Sequence, residues 1–316
     1  DYSINLAFVL AKNNHRNTEE VGKEIIRGLT EELEFKKYFE KIELAGGGFI
    51  NFYLSHEFLQ NKLAEISSDK EYGQSSEGQG KKVIVEYSSP NIAKPMHIGH
   101  LRSTIIGDAL ANVYETLGYK VIRWNYIGDW GTQFGKLIAY YKDLYPEWDN
   151  KKSIPDAVKL LSMYITASKD IAYEEKGRQE FLKLEQGDKH SLKLWKLFRA
   201  QSIEDIQLIY KVLSINFDFK KDIAKGESDY EPKLKSLVDD LKKKSFTKES
   251  EGALIIELEN LPPAMLRKSD GATLYITRDI ASLEDRIKNY NPAKILYIVA
   301  NQQALHFEQL FAIAKK

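Results

Sequence analysis

The order of two apolar runs around a helical pattern constrains this chain most. Val83-Ile84-Val85 is a short β-branched run of the kind buried on both faces of a parallel sheet. A loop at 88–96 follows, carrying Pro90 and Pro95. Then Ile98, Leu101, Ile105, Ala109, Val113 and Leu117 recur at helical spacing, and Gly118 stands where a C′ glycine would end the helix. A second apolar run, Val121-Ile122-Arg123-Trp124, comes next. Two strands joined through a helix cannot form a hairpin, so they pair in parallel, with a right-handed crossover. The class predicted is α/β, built on an open parallel sheet.

The flanking sequence predicts further units. Residues 1–66 read as a small α+β domain. Its apolar stretch at 6–10 and Ile25, Ile26 and Leu29 suggest packed helices, and Asn17-Thr18-Glu19-Glu20 offers a cap with an acidic first turn. Gly46-Gly47-Gly48 predicts a turn, and Phe49, Ile50, Phe52 and Leu54 a strand. Residues 67–82 are polar and glycine-bearing, as a linker would be. The main domain then covers 83–316. About 142–216 the alternation gives way to helical spacing, as in Ile203, Ile206, Ile209, Tyr210 and Leu213, which predicts a helical insertion between two halves of the sheet. Strands are expected to resume at Leu254-Ile255-Ile256, at Leu274-Tyr275-Ile276 and at 295–299, with helices at 279–289 and 303–314.

Composition removes several functional classes. Lysine plus arginine total 46 and aspartate plus glutamate total 46, so a globally basic nucleic-acid coat is excluded and any polyanion must meet a local patch. There are 0 cysteines, which removes disulfides and thiolate zinc sites and fits a reducing compartment. No apolar run approaches the ~18 residues of a membrane span. Asp1-Tyr2-Ser3 has neither a methionine nor a signal-like start, and reads as cut from inside a longer protein.

The chemistry concentrates in Ser88-Ser89-Pro90-Asn91-Ile92-Ala93-Lys94-Pro95-Met96-His97-Ile98-Gly99-His100, between a predicted strand and a helix N-terminus. Ligands of open α/β sheets bind at the carboxyl ends of strands, where helix N-termini present free amides to anions. His97 and His100 could donate to phosphate oxygens and stabilise the charge of an in-line phosphoryl transition state, while Gly99 leaves room for a flat base or ribose. Two other readings stand beside this. The histidines could be a metal pair, although no third ligand is near and no thiol exists, or they could simply cap the helix.

His97-Ile98-Gly99-His100 is the HIGH motif as it appears in class I aminoacyl-tRNA synthetases. The string from Glu86 through Arg102-Ser103-Thr104, with Gly128-Asp129-Trp130-Gly131-Thr132-Gln133-Phe134, resembles arginyl-tRNA synthetases in particular. Ala45-Gly46-Gly47-Gly48-Phe49-Ile50-Asn51-Phe52 resembles the end of that family's N-terminal additional domain, with Gly47 where the family often has proline. The resemblance implies a Rossmann-like catalytic domain and a reaction in two steps: ATP activates L-arginine to arginyl-adenylate, and the arginyl group passes to tRNA(Arg). Magnesium would accompany ATP with no protein-held metal site. The family needs tRNA bound before activation.

By the same resemblance, Glu227, Tyr275 and Asp279 hold the guanidinium and Asn91 and Gln303 the α-amino end, with Ser89 in the same loop. Lys94 lies near the phosphates, and His306 lines the ATP site with His97, Gly99 and His100. Carboxylates suit a planar cation because they accept its bidentate bonds. Taken alone, Asp279 could equally be an N-cap, Lys94 a solvated lysine and His306 a helix-face histidine. The first domain is implied to touch the tRNA elbow, chiefly the D-loop, although it shows no basic stripe with interleaved aromatics. Lys242-Lys243-Lys244 reads as a cationic helix C-terminus.

Arg267-Lys268-Ser269 is rejected as a K-M-S-K-S loop because it directly precedes Asp270-Gly271-Ala272-Thr273-Leu274-Tyr275, inside the implied amino-acid site. The family's own loop and anticodon-binding domain would lie beyond residue 316, so the chain alone is expected not to aminoacylate at a useful rate. A cytoplasmic, monomeric protein is expected. Another HIGH-bearing nucleotidyltransferase, or a paralogue that only binds tRNA, are the alternatives.

Overall fold

A computed structural model describes residues 1–32, 34–150, 154–269 and 271–316. Residues 151–153, within the anticipated insertion, and Asp270, within the string that follows the rejected loop, lie outside the described residues. The chain forms two compact units, Asp1–Gln74 and Ser75–Lys316.

The first unit runs β1 (Tyr2–Ile4), α1 (Leu6–Asn14), α2 (Thr18–Glu31), α3 (Phe35–Tyr38), β2 (Phe39–Ala45), β3 (Phe49–Leu54) and α4 (His56–Ser68). Its antiparallel sheet has the order β1-β3-β2, and β1 and β2 carry no apolar run long enough to have announced them. The Asn17 side chain accepts from the Glu19 and Glu20 amides at 2.9 and 3.2 Å and starts α2 as expected. Gly48 is held close: a Cβ there would lie 2.4 Å from Thr18 Cγ2.

The second unit runs β4 (Lys82–Glu86), α5 (Ile98–Thr116), β5 (Lys120–Ile127), α6 (Thr132–Leu144), α7 (Ala157–Lys169), α8 (Ala172–Glu185), α9 (Lys189–Val212), β6 (Ile223–Gly226), α10 (Leu234–Lys243), β7 (Lys248–Ser250), β8 (Ala253–Leu258), β9 (Leu261–Arg267), α11 (Tyr275–Tyr290), β10 (Lys294–Tyr297) and α12 (Ala304–Lys315). The parallel sheet has the order β10-β4-β5-β6. The predicted βαβ unit is its centre, and Gly118, at φ +80°, ends α5 in the left-handed conformation glycine tolerates. Residues 75–80, expected in a linker, belong to this second unit, where the Ser75 and Gly78 amides donate to Thr116 and Leu117 carbonyls.

Two expectations are corrected, and one strand was not anticipated. The run at 254–256 lies in β8 of a separate antiparallel sheet, β7-β8-β9, instead of the parallel one. Glu251 and Gly252 both have positive φ, the turn that favours a two-residue hairpin, and Pro262 and Pro263 fall on the edge strand β9 where its register with β8 shifts and neither proline has a paired partner. The fourth parallel strand is β6, whose Ile223-Ala224-Lys225-Gly226 is too polar and short to read as a strand. Finally, Leu274-Tyr275-Ile276 is no strand: Leu274 caps α11, which begins at Tyr275, because a three-residue apolar run does not distinguish the two periodicities.

Beneath the sheet's centre, buried Arg286 of α11 lies between the rings of Trp124 and Tyr297, with its guanidinium carbon 4.5 and 5.1 Å from their centroids, and pairs with Glu86. Among the described residues no helix is long and apolar enough to cross a membrane.

Candidate active site

All four parallel strands deliver residues to one cleft at their carboxyl ends. β4 runs out into Glu86, Ser88, Ser89 and Asn91, and β5 supplies Tyr126 and Gly128. Glu227 follows β6, and Ile298, Val299 and Ala300 follow β10. Because β4 has β5 on one side and β10 on the other, the connections diverge there and leave a crevice, the usual ligand position of an open α/β sheet. The N-terminus of α5, one face of α11 and the start of α12 close a volume of about 630 Å³.

The loop after β4 is strained and over-determined. Ser88, Ser89 and Ala93 have φ of +71°, +46° and +57°, the left-handed region that side chains avoid. It is pinned from several elements. Ser88 Oγ accepts from Thr104 of α5 at 2.8 Å and from Tyr210 of α9 at 2.5 Å, and the Ser89 and Ala93 amides donate to Asn125 Oδ1 and Ser202 Oγ. Asn91 bridges to Gly128 in parallel, and a Cβ on Gly128 would lie 2.2 Å from Asn91 Oδ1, so a side chain there would push Asn91 out of its place in the cleft.

At the mouth of α5 the capping and phosphate-donor readings of the histidines merge. His97 Nδ1 accepts from the Gly99 amide at 3.1 Å, and His100 Nδ1 accepts from the His97 amide at 3.4 Å; the two rings stack 3.9 Å apart. An accepting Nδ1 leaves the proton of a neutral ring on Nε2, so both imidazoles keep an Nε2–H donor beyond the cap. Burial, and then the neighbouring His97, lower the pKa of His100, which favours that neutral form.

Acids line the same cleft. Glu227 is buried in a 3-10 turn after β6, and burial pushes its carboxyl up to about 7, with Arg278 opposing and Asp129 adding to the shift. Tyr275 and Asp279 stand four apart on α11, hence on one face, and Tyr275 is 68% exposed. This removes the N-cap reading of Asp279. Instead, its Oδ2 lies 2.5 Å from His306 Nε2 on α12, so His306 has a partner of its own. Gln303 lines the same cleft.

Lys94 is the sequence-selected residue that does not line the cleft; its ammonium lies over the Tyr164 ring of α7, 5.4 Å from the centroid. The cleft is also lined by residues that sequence reasoning did not select, among them Glu86, Arg278 and Tyr126. Glu86 closes the β-branched run and so marks the strand's carboxyl end, a signal that was present in the sequence. Arg278 pairs with Glu231 at 2.8 Å, and Tyr126 has a buried hydroxyl with no hydrogen-bond partner among the described residues; neither could be found without coordinates. Burial raises the Glu86 carboxyl while the Arg286 charge opposes it. One cleft thus offers both carboxylates and imidazole donors at a helix N-terminus, which suits a ligand with a cation and a phosphate.

Comparison with known proteins bears on this geometry. Residues 62–316 match the family model of class I tRNA synthetases (R), catalytic domain, and residues 1–54 that of the arginyl tRNA synthetase N-terminal domain. An arginine–tRNA ligase of Lactococcus lactis subsp. lactis is 42% identical over 318 residues, covering 98% of this chain and 54% of the relative. One from Halothermothrix orenii is 43% identical, covering 92% and 51%. Among solved structures, the arginyl-tRNA synthetase of Plasmodium falciparum superposes with a TM-score of 0.69 at 32% identity, over 99% of this chain and 56% of that one. The Thermus thermophilus enzyme, at 23% identity and a TM-score of 0.61 over 91% of this chain and 47% of that one, shares the fold. The chain spans about half the length of the curated relatives it matches.

Proposed function

This chain belongs to the arginine-type class I tRNA synthetases, and from that premise we propose that its cleft activates L-arginine with ATP and serves its transfer to tRNA(Arg). The observation that carries the reading is the meeting of Glu227, Tyr275 and Asp279 with His97, Gly99 and His100 in one cleft. In the first step an arginine carboxylate oxygen attacks the α-phosphorus of ATP in line, the bond to the β-phosphate breaks, and pyrophosphate leaves. In the second, a hydroxyl of the terminal tRNA ribose attacks the arginyl carbonyl and AMP leaves.

Each residue has a role that its position supports. Glu227 and Asp279 accept from the guanidinium, with Tyr275 beside them on α11 at the cleft edge. Asn91 and Gln303 orient the α-amino end, and Ser89 belongs to the loop that presents Asn91. The Nε2–H groups of His97 and His100 donate to the phosphate oxygens as charge develops, and Gly99 lets the adenosine approach the helix end. His306 holds Asp279 and lines the nucleotide side. Magnesium enters with ATP as a phosphate counter-ion. The first unit is proposed to contact the tRNA elbow, and the protein to act as a cytoplasmic monomer.

ATP–pyrophosphate exchange by a full-length protein that carries this chain, over a panel of amino acids with tRNA present, tests the assignment. Exchange with arginine is expected; exchange with another amino acid and none with arginine would reject it. A pH series adds a sharper check. The Glu227 carboxyl is raised from 4.5 to about 7, so its protonated form favours the folded state at low pH, and that contribution is lost as pH rises through 7. Arginine binding should run the other way, because only the ionised carboxylate accepts both guanidinium bonds. Affinity should weaken by about tenfold per unit below pH 7. A flat calorimetric affinity between pH 5.5 and 8 would remove Glu227 from the contact.

A further inference from the structure

Asp129 is fully buried and does not line the cleft, yet its carboxylate is saturated with donors from the turn that carries Glu227. The Ser228 amide donates to Oδ1 at 2.9 Å and the Ser228 hydroxyl to Oδ2 at 3.0 Å. Arg199 Nε of α9 donates to Oδ2 at 2.9 Å. On the other side of Glu227, Gly226 packs so tightly that a Cβ there would lie 2.1 Å from the same Oδ2. Both residues flanking Glu227 therefore rest on one carboxylate.

We propose that Asp129 is a positioning residue for the guanidinium site, its carboxylate fixing the Gly226–Ser228 turn so that Glu227 faces the ligand. The assignment rests on the reading of Glu227 as a guanidinium acceptor. A buried carboxylate is costly unless paired and hydrogen-bonded. Here the compensation comes from two places at once, the turn after β6 and the inserted helix α9. Burial raises the Asp129 carboxyl, and the Ser228 and Arg199 bonds pull it back. The carboxylate thus links helix α9 to a cleft that α9 does not line, through Arg199, Asp129 and Ser228 in turn.

A double-mutant cycle on the 316-residue chain tests this, with arginine affinity read by NMR titration at pH 8. Asp129→Asn should weaken arginine binding by about tenfold, and by much less when Glu227→Gln is already present, since a positioning residue acts only through the group it positions. Equal losses in both backgrounds, or an unchanged affinity, would overturn the proposal. If Asp129→Asn does not fold by circular dichroism, Ser228→Ala takes its place in the same cycle, with a loss of about threefold expected from one deleted hydroxyl bond. Failure of the unmodified chain to bind arginine removes the guanidinium reading itself and this proposal with it. Binding by the unmodified chain without coupling removes the proposal alone.

Discussion

Replacing Asp279 by Asn is expected to weaken arginine binding by about two orders of magnitude, the scale of truncating one partner of a desolvated charge pair. The change keeps shape and volume but removes the charge that a guanidinium fork needs for two parallel bonds. Glu227 cannot compensate, because its own carboxyl is poised near 7 and is only partly ionised at neutral pH. His306 provides the control. It holds Asp279 Oδ2 at 2.5 Å, so His306→Ala removes a neighbour of the carboxylate without removing the acceptor, and most of the affinity should survive. Calorimetry at pH 7 reads both variants. An Asp279→Asn affinity within threefold of the parent would exclude Asp279 from the site.

The second large effect concerns the floor of the cleft. Arg286→Met should destabilise the second unit by about 3–5 kcal/mol, since it leaves the buried Glu86 carboxylate without its partner. Methionine fills much of the space between Trp124 and Tyr297, so the loss reports the stranded charge more than a cavity. Glu86→Gln in the same chain should recover part of it. The loss should also be larger at pH 8 than at pH 5, because without Arg286 the buried carboxyl rises further and folds best protonated. All 4 tryptophans (Trp124, Trp130, Trp148 and Trp195) lie in Ser75–Lys316, so urea unfolding followed by tryptophan fluorescence reads this unit alone. A midpoint unchanged by Arg286→Met would show that the pair carries no such weight.

Both predictions concern helix α11, whose first turn was misread from the sequence. Its first turn looked like a strand because Leu274-Tyr275-Ile276 is apolar at every position, and short apolar runs fit either periodicity. Once Tyr275 opens the helix, Tyr275 and Asp279 fall on one face, and Arg286 lies further along the same helix, under the sheet. By contrast, the α5 terminus was legible in detail. A strand run, a loop and an imidazole-bearing helix start are contiguous in the chain, so their order alone places the histidines at a strand's carboxyl end. Lys94 shows the limit of that reasoning. It lies in the same loop, but Tyr164, seventy residues on, draws its ammonium away from the cleft lining.

By itself the sequence determined the βαβ core, the capped helix mouth with its paired imidazoles, and the family resemblance, because each depends on residues close together in the chain. Only the tertiary structure decided which acids meet there. Glu86 and Arg286 are 200 residues apart, and Asp129 and Ser228 are 99 apart. Glu227 reaches the cleft because the short polar strand β6 pairs with β5, a choice that no local pattern records. Periodicity and caps are properties of neighbouring residues, whereas convergence follows from the lateral order of parallel strands, which is set by how the whole sheet buries its faces.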